Sequence, residues 1–362
     1  MASVSESLPP PSSTTGPIAW VRERLFSSPL NAVLTILAVW LLVMIIPALI
    51  EWGLVQAHFT AATSAECRGH PGACWAFIGE KYRFILFGLY PYDEQWRPLL
   101  AVLVLIGLIV ATCMPLFWKP RLIVIWAVGL VVVGVLMWGG VFGLTYVEDT
   151  NWGGLPLTLI LATFGIAVAF PLGLLLALGR RSRMPAIKTL CIIYIELIRG
   201  VPLISLLFMS SVMLPLFLPE GFSIDKLLRA QIAIILFSAA YIAEVVRGGL
   251  QAIPKGQYEG ADSLGLSYAQ KMGFVILPQA LKIVIPPMVS LFISAFKDTS
   301  LVVIIGIYDL MQSTKASLND PAWRGFSIEA YIFIAAIYFV FCFSMSKYSR
   351  NLEERLATGH KR

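Results

Sequence analysis

The sequence predicts an all-α, polytopic membrane protein of about eight transmembrane helices, and three observations carry that prediction. Apolar residues fill 58% of its 362 positions, above the roughly 45–50% of a soluble domain, and mean hydropathy is +0.81. Only 13% of the residues are charged. The apolar residues fall in long blocks rather than in alternation, and blocks of about 18 or more read as membrane spans. In lipid every backbone polar group must be satisfied within its own segment or in a closed barrel, so such blocks must be helices.

Residues 1–18, "MASVSESLPPPSSTTGPI", are rich in Ser, Thr and Pro and have no basic start, so no signal peptide is expected there. A disordered cytoplasmic tail is expected over 1–28. Spans follow at 29–50, 98–118 and 122–145. The first is too long for the apolar core of a signal peptide and lacks a cleavage site, so it is expected to stay in the membrane. Between the first two spans lies a long outer segment, 53–97. It carries Trp75, Phe77, Tyr82, Phe84, Phe87, Tyr90, Tyr92 and Trp96, residue types that favour the membrane interface. The acidic loop "YVEDTNWGG" at 146–154 has no Lys or Arg and reads as a boundary. It divides an accessory three-helix unit, 29–150, from a five-helix core, 151–355. The core spans are expected at 154–178, 190–217, 228–250, 283–306 and 327–347. The basic loop "GRRSR" stops the first of these, and 356–362 forms a second cytoplasmic tail.

Orientation follows from Lys and Arg, which gather on the cytoplasmic side. With the N-terminus inside and eight spans threaded, Arg68, Lys81, Arg83, Arg97, Lys226, Arg229, Lys315 and Arg324 fall outside, and the other 19 of the 27 basic residues fall inside. Both termini are then cytoplasmic. The net charge of +6 reflects this topology rather than a nucleic-acid partner. Of five cysteines, Cys113, Cys191 and Cys342 sit in apolar runs and read as packing residues. Cys67 and Cys74 flank the outer stretch "CRGHPGAC". A disulfide suits an oxidising compartment; a metal site with His70 is the alternative, against which the spacing weighs, so no metal is expected.

One stretch breaks the apolar pattern: "QYEGADSLGLSYAQKMGFVILPQ", residues 257–279. Pro254 ends the sixth span. A short amphipathic helix is expected over 256–264, with Gly265 as its left-handed stop. Ser267 caps a second short helix over 268–276, which Pro278 breaks before the next span. The first helix presents a small-residue face (Gly260, Ala261, Ser263) that another protein can approach closely.

The spacing within this segment resembles a known pattern. Glu259, Gly260, Ala261, Gly265, Val275, Leu277 and Pro278 are similar to the E-A-A-x3-G-x9-I-x-L-P signature of permease subunits of binding-protein-dependent ABC importers, with Gly for one Ala and Val for Ile. "IELIRGVPLISLLF" (195–208), "YIAEVVRGGLQAIPKGQYEGADSLGLS" (241–267), "LPQALKIVIPP" (277–287) and "FKDTSLVVIIG" (296–306) resemble the polar amino-acid branch. "GACWAFI" and "FGLYPYDEQWRP" in the outer segment look like the larger M-type permease of general L-amino-acid importers of Gram-negative bacteria. The resemblance covers most of 151–350.

The resemblance implies a bacterial inner-membrane permease carrying L-amino acids by alternating access. It implies a related Q-type permease, two ATPase subunits and a periplasmic binding protein as partners, with the bilayer around them. The segment 254–278 becomes the piece that docks on the ATPase, with Glu259 and Asp262 as docking candidates, Gly260 and Ala261 allowing close approach, and Gly265 and Pro278 shaping the turn. The dipeptide Gly-Lys is absent from the sequence, so no P-loop forms. No cofactor is expected in this chain; ATP and Mg²⁺ belong to the partner ATPase.

A zwitterion crossing lipid needs partners for both ends, because a charge at mid-membrane costs about 2.5–3.5 kcal/mol even on insertion scales. Few polar residues lie in or near the core spans. Glu196 with Arg199, and Glu244 with Arg247, stand three apart on one helix face and are expected to pair internally, which is compatible with a gating role. Lys297, Asp298, Thr299 and Ser300 lie within the seventh span. There Thr299 and Ser300 suit a carboxylate and Asp298 an ammonium, unless the hydroxyls bond their own backbone and Lys297 snorkels away. Catalysis is not expected: His58 and His70 lie in the outer segment and His360 in the tail, with no catalytic spacing among the spans. An ion-coupled secondary amino-acid transporter is the alternative reading, and it has no use for residues 257–279.

Overall fold

The computed structural model describes residues 16–357 except Trp118, Glu220 and Phe222. Of the tails expected at 1–28 and 356–362, residues 1–15 and 358–362, with His360, lie outside the described residues. Among these residues the chain is helical with no strand, only two isolated bridges, His58–Cys74 and Gly154–Asp309. It divides into two compact units, Met1–Gly79 and Glu80–Arg362.

The first unit holds α1 (Pro17–Leu25), α2 (Pro29–Ile50) and the short α3 (Ser64–Cys67). Helix α1 occupies part of the tail expected to be unstructured, because Pro17 sits at its first turn, where its fixed φ suits a helix. Ser28 caps α2 by accepting from the Asn31 N–H at 3.2 Å. No residue of α2 is buried. Cys67 and Cys74 are joined in a disulfide, and the His58 and His70 rings lie 4.3 Å apart beside it.

The second unit takes in most of α4 (Ala76–Phe87), then α5 (Trp96–Cys113), α6 (Arg121–Trp138), α7 (Gly154–Arg180), α8 (Pro185–Arg199), α9 (Leu203–Phe208), α10 (Lys226–Ala252), α11 (Lys255–Ser263), α12 (Tyr268–Gln270), α13 (Leu277–Asp298), α14 (Leu310–Ser317) and α15 (Ser327–Ala357). Apolar packing continues across residue 150. Ala101, Val102 and Leu105 of α5 and Val133 and Met137 of α6 share one apolar core with Leu157–Ala162 of α7 and Ile234 of α10. Arg97, counted from sequence as an outer charge, is fully buried. Its Nε donates to the Leu136 carbonyl (2.8 Å) and its NH1 to that of Thr145 (2.9 Å), tying the start of α5 to the end of α6.

Among the described residues seven helices are long and apolar enough to cross a membrane, and a bent pair, counted as one span, makes an eighth. Two spans differ from expectation. The fifth is broken: α8 and α9 meet at 101°. Pro202 has no N–H to give and disfavours helix at Val201, so α8 ends at Arg199. The seventh is longer than expected, because Pro278 does not break it. The helix runs from Tyr268 to Ile305, 38 residues. A π turn at Lys271–Ile276 precedes Pro278, and its wider ring relieves the bond and the space that a proline denies to a regular helix.

Helices α7 and α10 run parallel and form the most intimate pair. Without a hydrophobic force between helices in lipid, close backbone approach over small residues holds such pairs. A Cβ on Gly173 would lie 2.6 Å from Ile242 Cγ2 and 2.8 Å from the Ala239 carbonyl, so only glycine fits there. One end of this pair packs with α5, α6 and α9; the other packs with α13 and the segment after α11. At the former end Thr158, Asp309, Ser313 and Thr314 are fully buried. Asp309 caps α14, accepting from Gln312 N–H (2.9 Å) and Met311 N–H (3.2 Å). Burial pushes its pKa up to about 7, although those two donors pull the other way.

Candidate functional site

The polar segment leaves α10 at Ala252, turns at Pro254 and enters α11. Helix α11 stops where Gly265 takes φ +68°, a conformation that costs other residues. The Gly265 N–H donates to Asp262 (3.0 Å) and the Leu266 N–H to Ala261 (3.3 Å), the paired bonds of a Schellman stop. Ser267 and Gln270 then form a capping box that starts the next helix. That second helix is not separate from the membrane span but is its first turn.

Helical period sorts α11 into two faces. Tyr258 is half-buried and Ala261 buried, three residues apart. Gly256, Glu259, Gly260 and Ser263 face outward. Ala261 therefore does not belong to the approachable face expected from sequence. Asp262 is exposed yet already paired with Lys271. Glu259 has no ion pair among the described residues, and a Cβ at Gly260 would meet open space. Leu264, Tyr268 and Phe274 extend this face as exposed apolar groups, and Pro278 is exposed as well.

The charged residues near the C-terminal half of α10 form one cluster across three helices. Glu244 is its centre. It pairs with Arg247 on its own helix, with Arg180 at the end of α7 (3.3 Å) and with Arg199 at the end of α8 (3.4 Å). Glu196 pairs with Arg180 (2.9 Å). The internal pair expected for 244/247 is present, and that for 196/199 is absent. The two α8 residues instead reach α7 and α10, which lie closer to their tips than they do to each other. Two carboxylates thus face three guanidiniums, an excess of one positive charge. Arg199 also sits over the Tyr241 ring, 5.6 Å from its centre, and its Nε is buried without a hydrogen-bond partner.

Tyr241 also lines a cavity of about 240 Å³, together with Leu203, Phe237, Leu291, Ser294 and Asp298. This is below the roughly 300–1,000 Å³ of sites for drug-sized ligands and suits a smaller metabolite. Asp298 has no hydrogen bond or salt bridge among the described residues. Its neighbours behave differently. Thr299 is buried, and its hydroxyl donates to the Phe296 carbonyl at 2.7 Å. The Ser300 hydroxyl donates to that of Lys297 at 2.8 Å. Both donors are therefore occupied by their own backbone, and neither offers a proton to a carboxylate. Lys297 is exposed and makes no salt bridge. Of the four, the structure brings only Asp298 to the cavity.

Among the described residues no group of three or more His, Cys, Asp or Glu is placed to hold a metal. Sequence reasoning missed Arg180, Arg181 and Tyr241. The two arginines read only as a basic stop after α7. Tyr241 stands three residues before Glu244, a spacing that placed it on the same face.

Residues 169–358, just over half the chain, match the family model for the binding-protein-dependent transport system inner membrane component. The chain belongs to that family. Family members are non-catalytic, multi-span permease subunits of ABC transporters, and membership sets aside the ion-coupled alternative. The permease is 54% identical over 348 residues to the inner membrane amino-acid ABC transporter permease protein YhdY of Escherichia coli K12, covering 94% of each chain. It is 39% identical to the glutamate/glutamine/aspartate/asparagine transport system permease protein BztC of Rhodobacter capsulatus, covering 98% of this chain and 96% of that one. A crystal structure of an amino acid ABC transporter with histidines matches at 37% identity and a TM-score of 0.51, over 56% of this permease and 92% of that chain.

Proposed function

We propose that this permease carries L-amino acids across the bacterial inner membrane, driven by ATP hydrolysed on a separate subunit. One observation carries the reading of the substrate: an unpaired carboxylate, Asp298, on the wall of an otherwise largely apolar cavity. A lone anion there is costly, and a ligand's ammonium offsets that cost. On the other side Tyr241 is backed by Arg199, whose free Nε and the cluster's positive excess suit the ligand's carboxylate. An α-amino acid has both groups and a fitting size, and YhdY and BztC are named for such transport.

The outward face of α11, with Glu259, Gly256 and Gly260 and the apolar Leu264 and Phe274 beside it, is the docking surface for the ATPase. Asp262 is engaged within the chain and acts as a brace of the hairpin. The distribution of Lys and Arg supports a cytoplasmic position for this hairpin and for both termini, which puts the Cys67–Cys74 loop in the oxidising periplasm. A Q-type permease, two ATPases and a periplasmic binding protein complete the machine, which alternates access by rigid-body rocking.

The test is uptake of a radiolabelled L-amino-acid mixture by vesicles holding the purified complex, with the binding protein outside and ATP inside. The expected result is ATP-dependent uptake that vanadate blocks and that Asp298→Asn reduces by about tenfold or more, since about 1.4 kcal/mol lost from binding is tenfold. Uptake that follows an ion gradient with no ATP present refutes the reading.

A further inference from the structure

Two adjacent arginines at the end of α7 point into different neighbourhoods. Arg180, the last residue of the helix, belongs to the charge cluster through Glu196 and Glu244. Arg181, the capping residue after it, reaches the other way. Its NH1 donates to the Leu250 carbonyl (3.1 Å) and to the Tyr258 hydroxyl oxygen (3.0 Å). Its guanidinium lies 5.4 Å from the centre of the Tyr258 ring. The Tyr258 hydroxyl in turn donates to the same Leu250 carbonyl at 3.0 Å. Tyr258 is on the inner face of α11, and Leu250 is in the last turns of α10. Three elements therefore meet at one guanidinium.

We propose that Arg180–Arg181 is a force-transmitting joint between α11 and the substrate cavity. This rests on the reading of α11 as the ATPase-docking helix. A shift of α11 moves Tyr258, and Tyr258 pulls Arg181 through a hydrogen bond and a ring contact. Arg180 must follow, because consecutive Cα atoms are held about 3.8 Å apart across a planar peptide. Its two carboxylate partners, Glu196 on α8 and Glu244 on α10, pass that shift to their helices. Arg199 shares Glu244 with it and rests on Tyr241, which lines the cavity.

Simple capping of α10 accounts for the bond to Leu250, since arginine near a helix C-terminus commonly satisfies a last-turn carbonyl. It does not account for the second bond and the stacking on Tyr258. Nor does it account for Arg180 and Arg181 serving two separate networks. The planar fork of arginine holds two acceptors at fixed angles, which a flexible ammonium does not. Glu244 has three arginine partners, so the cluster can trade one pair for another without stranding a charge. Discrete rearrangement of that kind is what carries coupling between distant sites.

The measurement is amino acid carried per ATP hydrolysed by the complete complex in vesicles, using a radiolabelled L-amino-acid mixture with the binding protein outside. A purely structural role would change yield or melting temperature but leave this ratio alone. Arg181→Ala is expected to lower the ratio by about fivefold or more, the range of a typical coupling free energy, while hydrolysis continues. Tyr258→Phe removes a single hydroxyl and is expected to lower it in the same direction. Because the two residues act as one contact, the double variant is expected to be no worse than Arg181→Ala alone. Arg181→Lys restores part of the ratio. An unchanged ratio in either single variant overturns the joint, and so do losses that multiply in the double variant. Should Arg181→Ala fail to assemble, Tyr258→Phe decides alone, and an unchanged ratio overturns the proposal. A wild-type complex whose uptake needs no ATP overturns the reading of α11 beneath it, a result visible before any variant is made.

Discussion

The two ends of the parallel α7–α10 pair are joined by different chemistry. At the end near α11, Arg180, Glu196, Arg199, Glu244 and Arg247 make ion pairs that remain partly open to solvent. At the other end Thr158, Asp309, Ser313 and Thr314 are fully buried, and each is hydrogen-bonded to backbone. Partly wet ion pairs exchange partners cheaply, because water covers the intermediate geometry. A dry hydroxyl network has no such substitute, since an unmade bond there costs the full desolvation of the group. The difference assigns motion to one end and anchorage to the other.

Three perturbations probe that contrast. The largest effect is expected at the dry end. The folded-state pKa of Asp309 is raised to about 7, so the folded protein keeps this proton where the unfolded chain has lost it. Stability from this group is therefore greatest below about pH 4 and falls as pH rises to about 7, by at most about 4 kcal/mol, with no further change above. Asp309→Asn keeps the α14 cap, as asparagine caps equally well, and is expected to flatten that slope. Melting temperature of the purified complex between pH 5 and 8 reads it; an undiminished slope in the variant assigns the effect elsewhere. Next comes Glu244→Ala, which strands the guanidiniums of Arg199 and Arg247 and leaves Arg180 with Glu196 alone. It is expected to cost about 3 kcal/mol, the lower end for a broken buried pair, because the Glu244 side chain is still 21% exposed. Denaturant unfolding measures the cost; a loss no larger than that of a surface pair removes the cluster from its structural role. The smallest effect belongs to Asp262→Asn. Asp262 itself is exposed to water, although its partner Lys271 is half-buried, and pairs open to solvent contribute about 1 kcal/mol or less. A larger shift in melting temperature would show that the hairpin depends on that brace.

Much of the fold was legible because lipid leaves few options. Long apolar runs had to be helices, and the caps at Ser267 and Gly265 followed from residue types whose local chemistry does not depend on the rest of the chain. The misreadings arose where a local rule met a second local rule or a distant partner. Pro202 and Pro278 are the same residue in similar company. The first breaks its helix at Gly200–Pro202, whereas the second is absorbed by a π turn just upstream. The burial of Ala261 is set by which face of α11 meets the bundle, which no count of small residues reveals. Arg180 meets Glu244 across 64 positions and Arg181 meets Tyr258 across 77, so neither contact has a signature in the linear order. Asp298 stood out as a charge in an apolar run, but only packing separated it from Thr299 and Ser300.

The unbroken helix from Tyr268 to Ile305 has a consequence of scale. Its 38 residues, at 1.5 Å each, make a rod of about 57 Å, against about 30 Å of hydrocarbon. Nearly half of its length must stand proud of the oil or lean steeply through it. The turn where Ser267 starts it and the carboxylate of Asp298 belong to the same continuous helix, so a few degrees of tilt at one becomes ångströms of travel at the other.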